Sequence, residues 1–142
     1  MVIEESILIS SPIEHVWNIF NDLTCWSKWN TVMEEVSSES QRITEGGRFR
    51  YCIRPFVIPV SFEPVIEEVV SGKKITWRGE IFGIAALHEF IFRETGHGVS
   101  VTSRATFSGG PVALTGMIFS RGRLKEMTLT LLKDLKKEAE NR

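Results

Sequence analysis

A chain of 142 residues is the size of a single domain and can bury a core without a metal or disulfide staple. Apolar residues make up 42% and charged residues 25%, the balance of an ordinary globular protein. With 17 basic and 18 acidic side chains the formal net charge is -1, which argues against a dedicated nucleic-acid binder, since such proteins carry a basic excess.

Residues 2–10 alternate loosely and read as a strand. Glu4 and Glu5 stand where a signal peptide would carry positive charge. No apolar run in the chain approaches the roughly 18 residues of a membrane span. A cytoplasmic protein is therefore expected. Ser11-Pro12 opens a helix, because proline suits a first turn whose N–H groups are unpaired anyway. Ile13, Val16, Trp17 and Phe20 recur at helical spacing and make one apolar face. Asn21-Asp22 ends that helix, and a second short helical piece holds Leu23, Trp26 and Trp29. From about residue 32 the period changes to two. Strands are predicted near 32–41, 47–54, 58–70, 74–83, 86–95 and 98–107, separated by turn signals such as Glu45-Gly46-Gly47, Ser71-Gly72-Lys73 and Thr95-Gly96-His97-Gly98. Short spacing with tight turns implies antiparallel neighbours. Gly109-Gly110-Pro111 stops the sheet, and a long helix runs to about residue 140 with Leu124, Leu131, Leu132, Leu135 and Ala139 on one stripe. Cys25 and Cys52 are too few for a disulfide framework and read as free thiols.

The order is strand, two short helices, six strands, long helix. A seven-stranded antiparallel sheet must cover its apolar face, and the C-terminal helix is the largest element available to do so. The fold class is α+β.

The stretch SPIEHVWNIFNDLTCWSKWNTVMEEV, residues 11–36, carries a resemblance to a known family. It has Pro12 just after a strand, Val16-Trp17 on the first helix, Asp22 closing it, and a W-x-x-W-N run from Trp26 to Asn30. Gly46-Gly47, Trp77-x-Gly79, His88-x-Phe90 and the closing leucine-rich helix extend the match along the chain. The sequence thus resembles the START-like, or Bet v 1-like (SRPBCC), superfamily, in its polyketide cyclase/dehydrase-type branch. The resemblance implies one domain over residues 1–142 with a helix-grip fold: a curved seven-stranded sheet wrapped around the long C-terminal helix. It also implies an internal cavity for a hydrophobic ligand of lipid, polyketide or aromatic type. Fold does not fix activity in such a family. A cyclase/dehydratase-like enzyme and a non-enzymatic interaction module, ubiquinone-handling or co-chaperone-like, stand as alternatives.

Alternation assigns the faces. Phe49, Tyr51 and Ile53 share one side, as do Val60, Phe62 and Ile66; Ile75, Trp77 and Ile81; His88, Phe90 and Phe92; and Val99, Val101, Ser103, Ala105 and Phe107. The opposite faces mix arginines with acids, which suits a solvated surface with cross-strand ion pairs. Ligand-contacting residues are expected among Trp29, Phe49, Tyr51, Phe62, Trp77, His88, Phe90, Phe92 and Phe107, with Ile118 and Arg121 from the last helix. Small residues such as Gly79, Ser103 and Ala105 leave space beside the rings. Of the polar members, His88 offers a hydrogen bond or a proton near neutral pH, Tyr51 a hydroxyl, and Arg121 an anchor for an acid. A packed core with Arg121 turned to solvent is the alternative. Two apolar loops, Pro55 to Pro59 and Gly83 to Ala86, lie at one end of the meander. With Leu114, their Phe56, Val57, Ile58 and Ile84 would ring a cavity mouth, or else pack on each other or form a homodimer contact. His15 and His97 read as solvated. No catalytic motif, metal-ligand spacing or phosphate-cradling loop is present, so no catalytic residue, metal or cofactor is assigned. The expected partner is a small hydrophobic molecule.

Overall fold

The computed structural model describes residues 1–55, 59–81, 83–109 and 120–141. Among them the chain runs β1 (Val2–Ile9), α1 (Ile13–Asn21), a 3-10 turn (Leu23–Cys25), α2 (Trp26–Trp29), β2 (Glu34–Ser38), β3 (Phe49–Ile53), β4 (Val60–Phe62), β5 (Val65–Val70), β6 (Lys74–Ile81), β7 (Ile84–Thr95), β8 (Gly98–Ser108) and α3 (Arg121–Glu140). Every strand pair is antiparallel. The strands form a five-stranded sheet in the order β1-β8-β7-β6-β5 and a three-stranded sheet in the order β2-β3-β4. The fold is α+β with the long C-terminal helix packed on antiparallel sheet, as the alternation and the closing leucine stripe predict.

The strand count differs from the prediction. The stretch read as one strand over 58–70 breaks into β4 and β5 around Glu63-Pro64. Proline has no N–H for the ladder, so a central strand cannot run through it. The break divides the surface into two sheets that meet at a seam. There Gly46 N–H donates to the Ile66 carbonyl and Ile66 N–H to the Gly47 carbonyl, both at 2.8 Å, beside a bridge between Arg48 and Val65.

The outward faces carry paired charge. Arg104 reaches Glu4 at 2.6 Å and Glu89 at 3.9 Å, and Lys74 reaches Glu89 at 3.7 Å and Glu68 at 3.3 Å, an alternating ladder across all five strands of the larger sheet. Glu89 is mostly buried at 16% side-chain exposure, while its partners and the outer acids are partly solvated, so the outer pairs add little stability. They account for the mixed charge opposite the aromatic face.

The inward faces meet two layers. Toward one end, α1 and α2 supply a ring cluster centred on Phe20. It lies 5.0 Å from Trp26, 4.7 Å from Phe90 and 5.4 Å from Phe92, centroid to centroid. Toward the other end, α3 covers the sheets with Leu124, Met127, Leu131, Leu132, Leu135 and Ala139. Its first turn is capped by the Ser120 hydroxyl, which accepts from Arg123 N–H at 3.1 Å.

Gly98, which opens β8, has φ 131, and a Cβ there would stand 2.1 Å from the Ile9 carbonyl oxygen. The obstacle is backbone held in the β1–β8 ladder, so it cannot swing aside. Gly98→Ala is expected to destabilise the fold by about 2–3 kcal/mol, read as a lower urea midpoint. A midpoint equal to that of the native chain would show that this corner relaxes freely.

Candidate functional site

The W-x-x-W-N run sets one wall of the site. The Asn30 amide donates to the carbonyls of Trp26 and Met33, both at 3.0 Å, and its Oδ1 accepts from Val32 N–H at 2.9 Å and Met33 N–H at 2.6 Å. Its hydrogen-bonding capacity is thus spent on turning the chain from α2 into β2. Asp134 of α3 accepts from both the backbone N–H and the hydroxyl of Thr31 at 2.8 Å, tying that turn to the helix. Val32 and Met33 are thereby held against a cavity under α3.

The cavity has a volume of about 90 Å³. Among the described residues, the sheets line it with Ile3, Tyr51, Ile53, Phe62, Trp77, Ala86, Leu87, His88, Ser103, Ala105 and Phe107, and α3 with Leu124, Met127, Thr128 and Leu131. None of these is charged. The space is below the roughly 300 Å³ at which drug-sized ligands are usually held, and below the roughly 150 Å³ of an engineered cavity that takes benzene.

Its polar groups gather on the sheet side. His88 Nε2 and Ser103 Oγ lie 2.8 Å apart. The imidazole stacks on Phe90 at 4.2 Å and meets the edge of Trp77 at 5.3 Å. Burial disfavours its charged form and pushes its pKa down to about 3, so His88 is neutral at pH 7. Burial likewise pushes the Tyr51 phenol up, against a smaller opposite pull from the Trp77 indole. That indole N–H is buried and meets no partner in good hydrogen-bond geometry. On the helix side, the Thr128 hydroxyl is satisfied by donating to the Leu124 carbonyl at 2.9 Å.

Apart from Ile84 and Arg121, the residues predicted from sequence divide into three groups. Tyr51, Phe62, Trp77, His88 and Phe107 meet around the cavity. Trp29, Phe49, Phe90 and Phe92 face inward but are packed in the core, 0–6% exposed, and do not line it. The third group holds the mouth residues Phe56, Val57, Ile58 and Leu114, together with Ile118; it lies outside the described residues.

Three expectations need correction. Ile84 is fully buried as the first residue of β7, paired with Ile81, so it sits in the ladder and not on an apolar loop. Arg121 is exposed. It is the first residue of α3, so a stripe counted back from the later leucines gives it no inward position. Gly79 leaves no gap, because the Phe62 ring fills it: a Cβ at Gly79 would meet Phe62 Cε1 at 2.6 Å. In addition, His15 is half-buried, with a buried Nε2 that lacks a hydrogen-bond partner. Cys25 and Cys52 are both free.

The wall residues that sequence reasoning missed include Ile3, Val32, Met33, Met127 and Thr128. The helical pair was within reach, since Met127 and Thr128 follow Leu124 at spacings of three and four. Among the described residues no cluster of three His, Cys, Asp or Glu side chains is arranged to hold a metal. Nor is any helix there long and apolar enough to cross a membrane.

Comparison with solved structures places this architecture among many others. A protein from Thermus thermophilus superposes with a TM-score of 0.82 at 16% identity, covering 99% of this chain and 98% of its own. A hypothetical protein from Helicobacter pylori gives 0.80 at 16% identity, covering 98% and 88%. The di-domain ARO/CYC StfQ from the steffimycin biosynthetic pathway gives 0.81 at 15% identity, with this chain covering 51% of it. At such identities the likeness shows the fold. No curated protein matches the chain in sequence. The family model described as polyketide cyclase / dehydrase and lipid transport matches residues 1–140, and with that span the chain belongs to this family.

Proposed function

We propose that the protein binds a small hydrophobic molecule, of lipid, polyketide or aromatic type, in the cavity between its sheets and α3. One observation carries this reading: the space under α3 is walled by apolar side chains and neutral polar groups, without a charged residue among those described. Membership of a family named for cyclase, dehydrase and lipid transport members supports it. Apolar burial would drive binding at about 25 cal/mol per Å². A ligand burying about 150 Å² would gain roughly 4 kcal/mol by that measure, before the costs of association. Burial alone thus gives weak binding, and the polar wall has to contribute.

Native mass spectrometry of freshly purified protein tests the proposal. The expected spectrum contains a second species, heavier by the mass of one small molecule, that collapses to the bare chain on collisional activation. Bare protein in every preparation, together with no uptake of added apolar probes, would overturn it.

A second reading is supported by the gathering of Tyr51, Trp77, His88 and Ser103 on one wall. A cyclase or dehydratase could use them to hold a poly-carbonyl substrate. His88, neutral until about pH 3, would be a poor proton donor at pH 7. Catalysis would then rest on enforced substrate folding and hydrogen bonds to a developing oxyanion.

A further inference from the structure

Parity sends Arg48 and Arg50 to the same outward face, two residues and so about 7 Å apart along the chain. The Gly46-Gly47 turn and the bridge between Arg48 and Val65 fix this stretch at the seam where the two sheets part. Ser37 of β2 pairs with Arg50. An open groove of about 640 Å³ lies there. Arg42, Arg48, Arg50, Ser37 and Thr44 are among its lining residues, as are two acids, Glu39 and Glu63. The groove shares no lining residue with the cavity under α3.

Charge is not matched here as it is on the larger sheet. There Lys74, Arg78 and Arg104 each reach a carboxylate, at 3.3, 2.7 and 2.6 Å. In the groove, no carboxylate among the described residues forms an ion pair with Arg42, Arg48 or Arg50, although Glu39 and Glu63 line the same space. Arg50 spends its Nε on the Ser61 hydroxyl at 3.0 Å. Each guanidinium is charged throughout the physiological range and presents a planar fork of donors that fits two oxygens of a phosphate. Like charges on neighbouring outward positions repel, and an anion placed between them removes that repulsion. A carboxylate brings one charge, whereas a phosphomonoester brings nearly two and a third terminal oxygen. A lipid surface is a poorer fit than a dissolved molecule. The exposed large apolar side chains Val2, Leu8 and Val70 all lie outside the groove, so a bilayer would find no apolar contact beside these cations. We propose that the groove binds the phosphate of a dissolved, phosphorylated small molecule through Arg42, Arg48 and Arg50, with Ser37 and Thr44 as hydroxyl donors. The proposal is independent of what the cavity under α3 holds.

The test is a titration with glycerol 3-phosphate at pH 7, with ionic strength held constant by sodium chloride and binding followed by the backbone amide resonances. Saturable shifts are expected at Arg42, Arg48 and Arg50. Glycerate, a carboxylate of similar size, should bind at least about tenfold more weakly. Arg48→Gln should weaken glycerol 3-phosphate binding about tenfold, as loss of a charge-assisted contact would give. Arg78→Gln removes the same charge from an exposed position on the larger sheet and should leave the affinity within about twofold. Equal weakening by the two variants would overturn the proposal, because diffuse charge would then account for the binding. Shifts that do not saturate, or equal affinity for glycerate, would overturn it too. So would binding to phosphatidic acid vesicles without binding to glycerol 3-phosphate, which would assign the groove to a membrane.

Discussion

Acidifying the protein from pH 6.5 to pH 4 is expected to remove about 3 kcal/mol of stability through His88 alone. In the folded chain burial holds this imidazole near pKa 3, whereas the unfolded chain returns it to about 6.5. Between those values the unfolded state binds one more proton than the folded state. Stability therefore falls by about 1.4 kcal/mol for each pH unit of acidification. The contribution is fully present above pH 6.5 and lost progressively below it. Asp22 and Glu140 add to acid sensitivity in the same direction, because hydrogen bonds from Thr24 and from Lys136 respectively hold their pKa values down. The diagnostic quantity is thus a difference. Urea unfolding of the native chain and of His88→Gln should diverge in slope against pH between 6.5 and 4, with the variant flatter. Parallel slopes would mean that the imidazole reaches water in the folded state.

Trp26→Ala should cost about 3–5 kcal/mol, the range for emptying a large buried aromatic site. Trp26 is fully buried, its Nε1 donates to the Phe20 carbonyl at 2.7 Å, and its ring lies 5.0 Å from both Phe20 and Trp29. Trp26→Phe should recover most of the packing and lose the hydrogen bond, leaving a deficit of about 1–3 kcal/mol. The comparison is made from denaturation midpoints at constant m-value. A loss below 1 kcal/mol for the alanine variant would show that the neighbouring rings close over the gap. The result bears on function, because the Trp26 carbonyl anchors Asn30 and so the turn that places Val32 and Met33 on the cavity wall.

Much of the architecture can be read from the chain because each strand states its buried face by parity. Phe49 and Tyr51, Ile75 and Trp77, and Val99, Val101 and Ser103 are all buried as alternation requires. Parity also hides the break at Pro64. Val60, Phe62 and Ile66 keep the same face on either side of it, so the period-two pattern runs on across two sheets. Ile84 misleads for a related reason: a short apolar run after glycine describes an apolar loop and a buried strand end equally well.

The site is less legible than the fold. Alternation says which side chains point inward but not how far along the shell the covering helices fill the space. Phe20 and Trp26 occupy the end where Phe90 and Phe92 lie, so free volume remains at the other end, beside Tyr51, His88 and Phe107. Ser103 is expected from sequence to serve by being small. It serves as the hydrogen-bond partner of His88, a contact made between neighbouring strands 15 residues apart in sequence.

The ends of the two sheets carry a final implication. Lys136 of α3 donates to the Leu8 carbonyl at 2.9 Å, and Glu140 accepts from Ser10 N–H at 2.8 Å, so the helix shields the open side of β1. The ladder of β2 is irregular between Glu34 and Ser37, around Glu35 at φ 52. β4 spans three residues, with Pro59 just before it and Pro64 soon after. A foreign strand meets a poor template at each of these borders, since docking there needs a straight row of free N–H and C=O groups. Strand addition is thereby disfavoured at β1, β2 and β4.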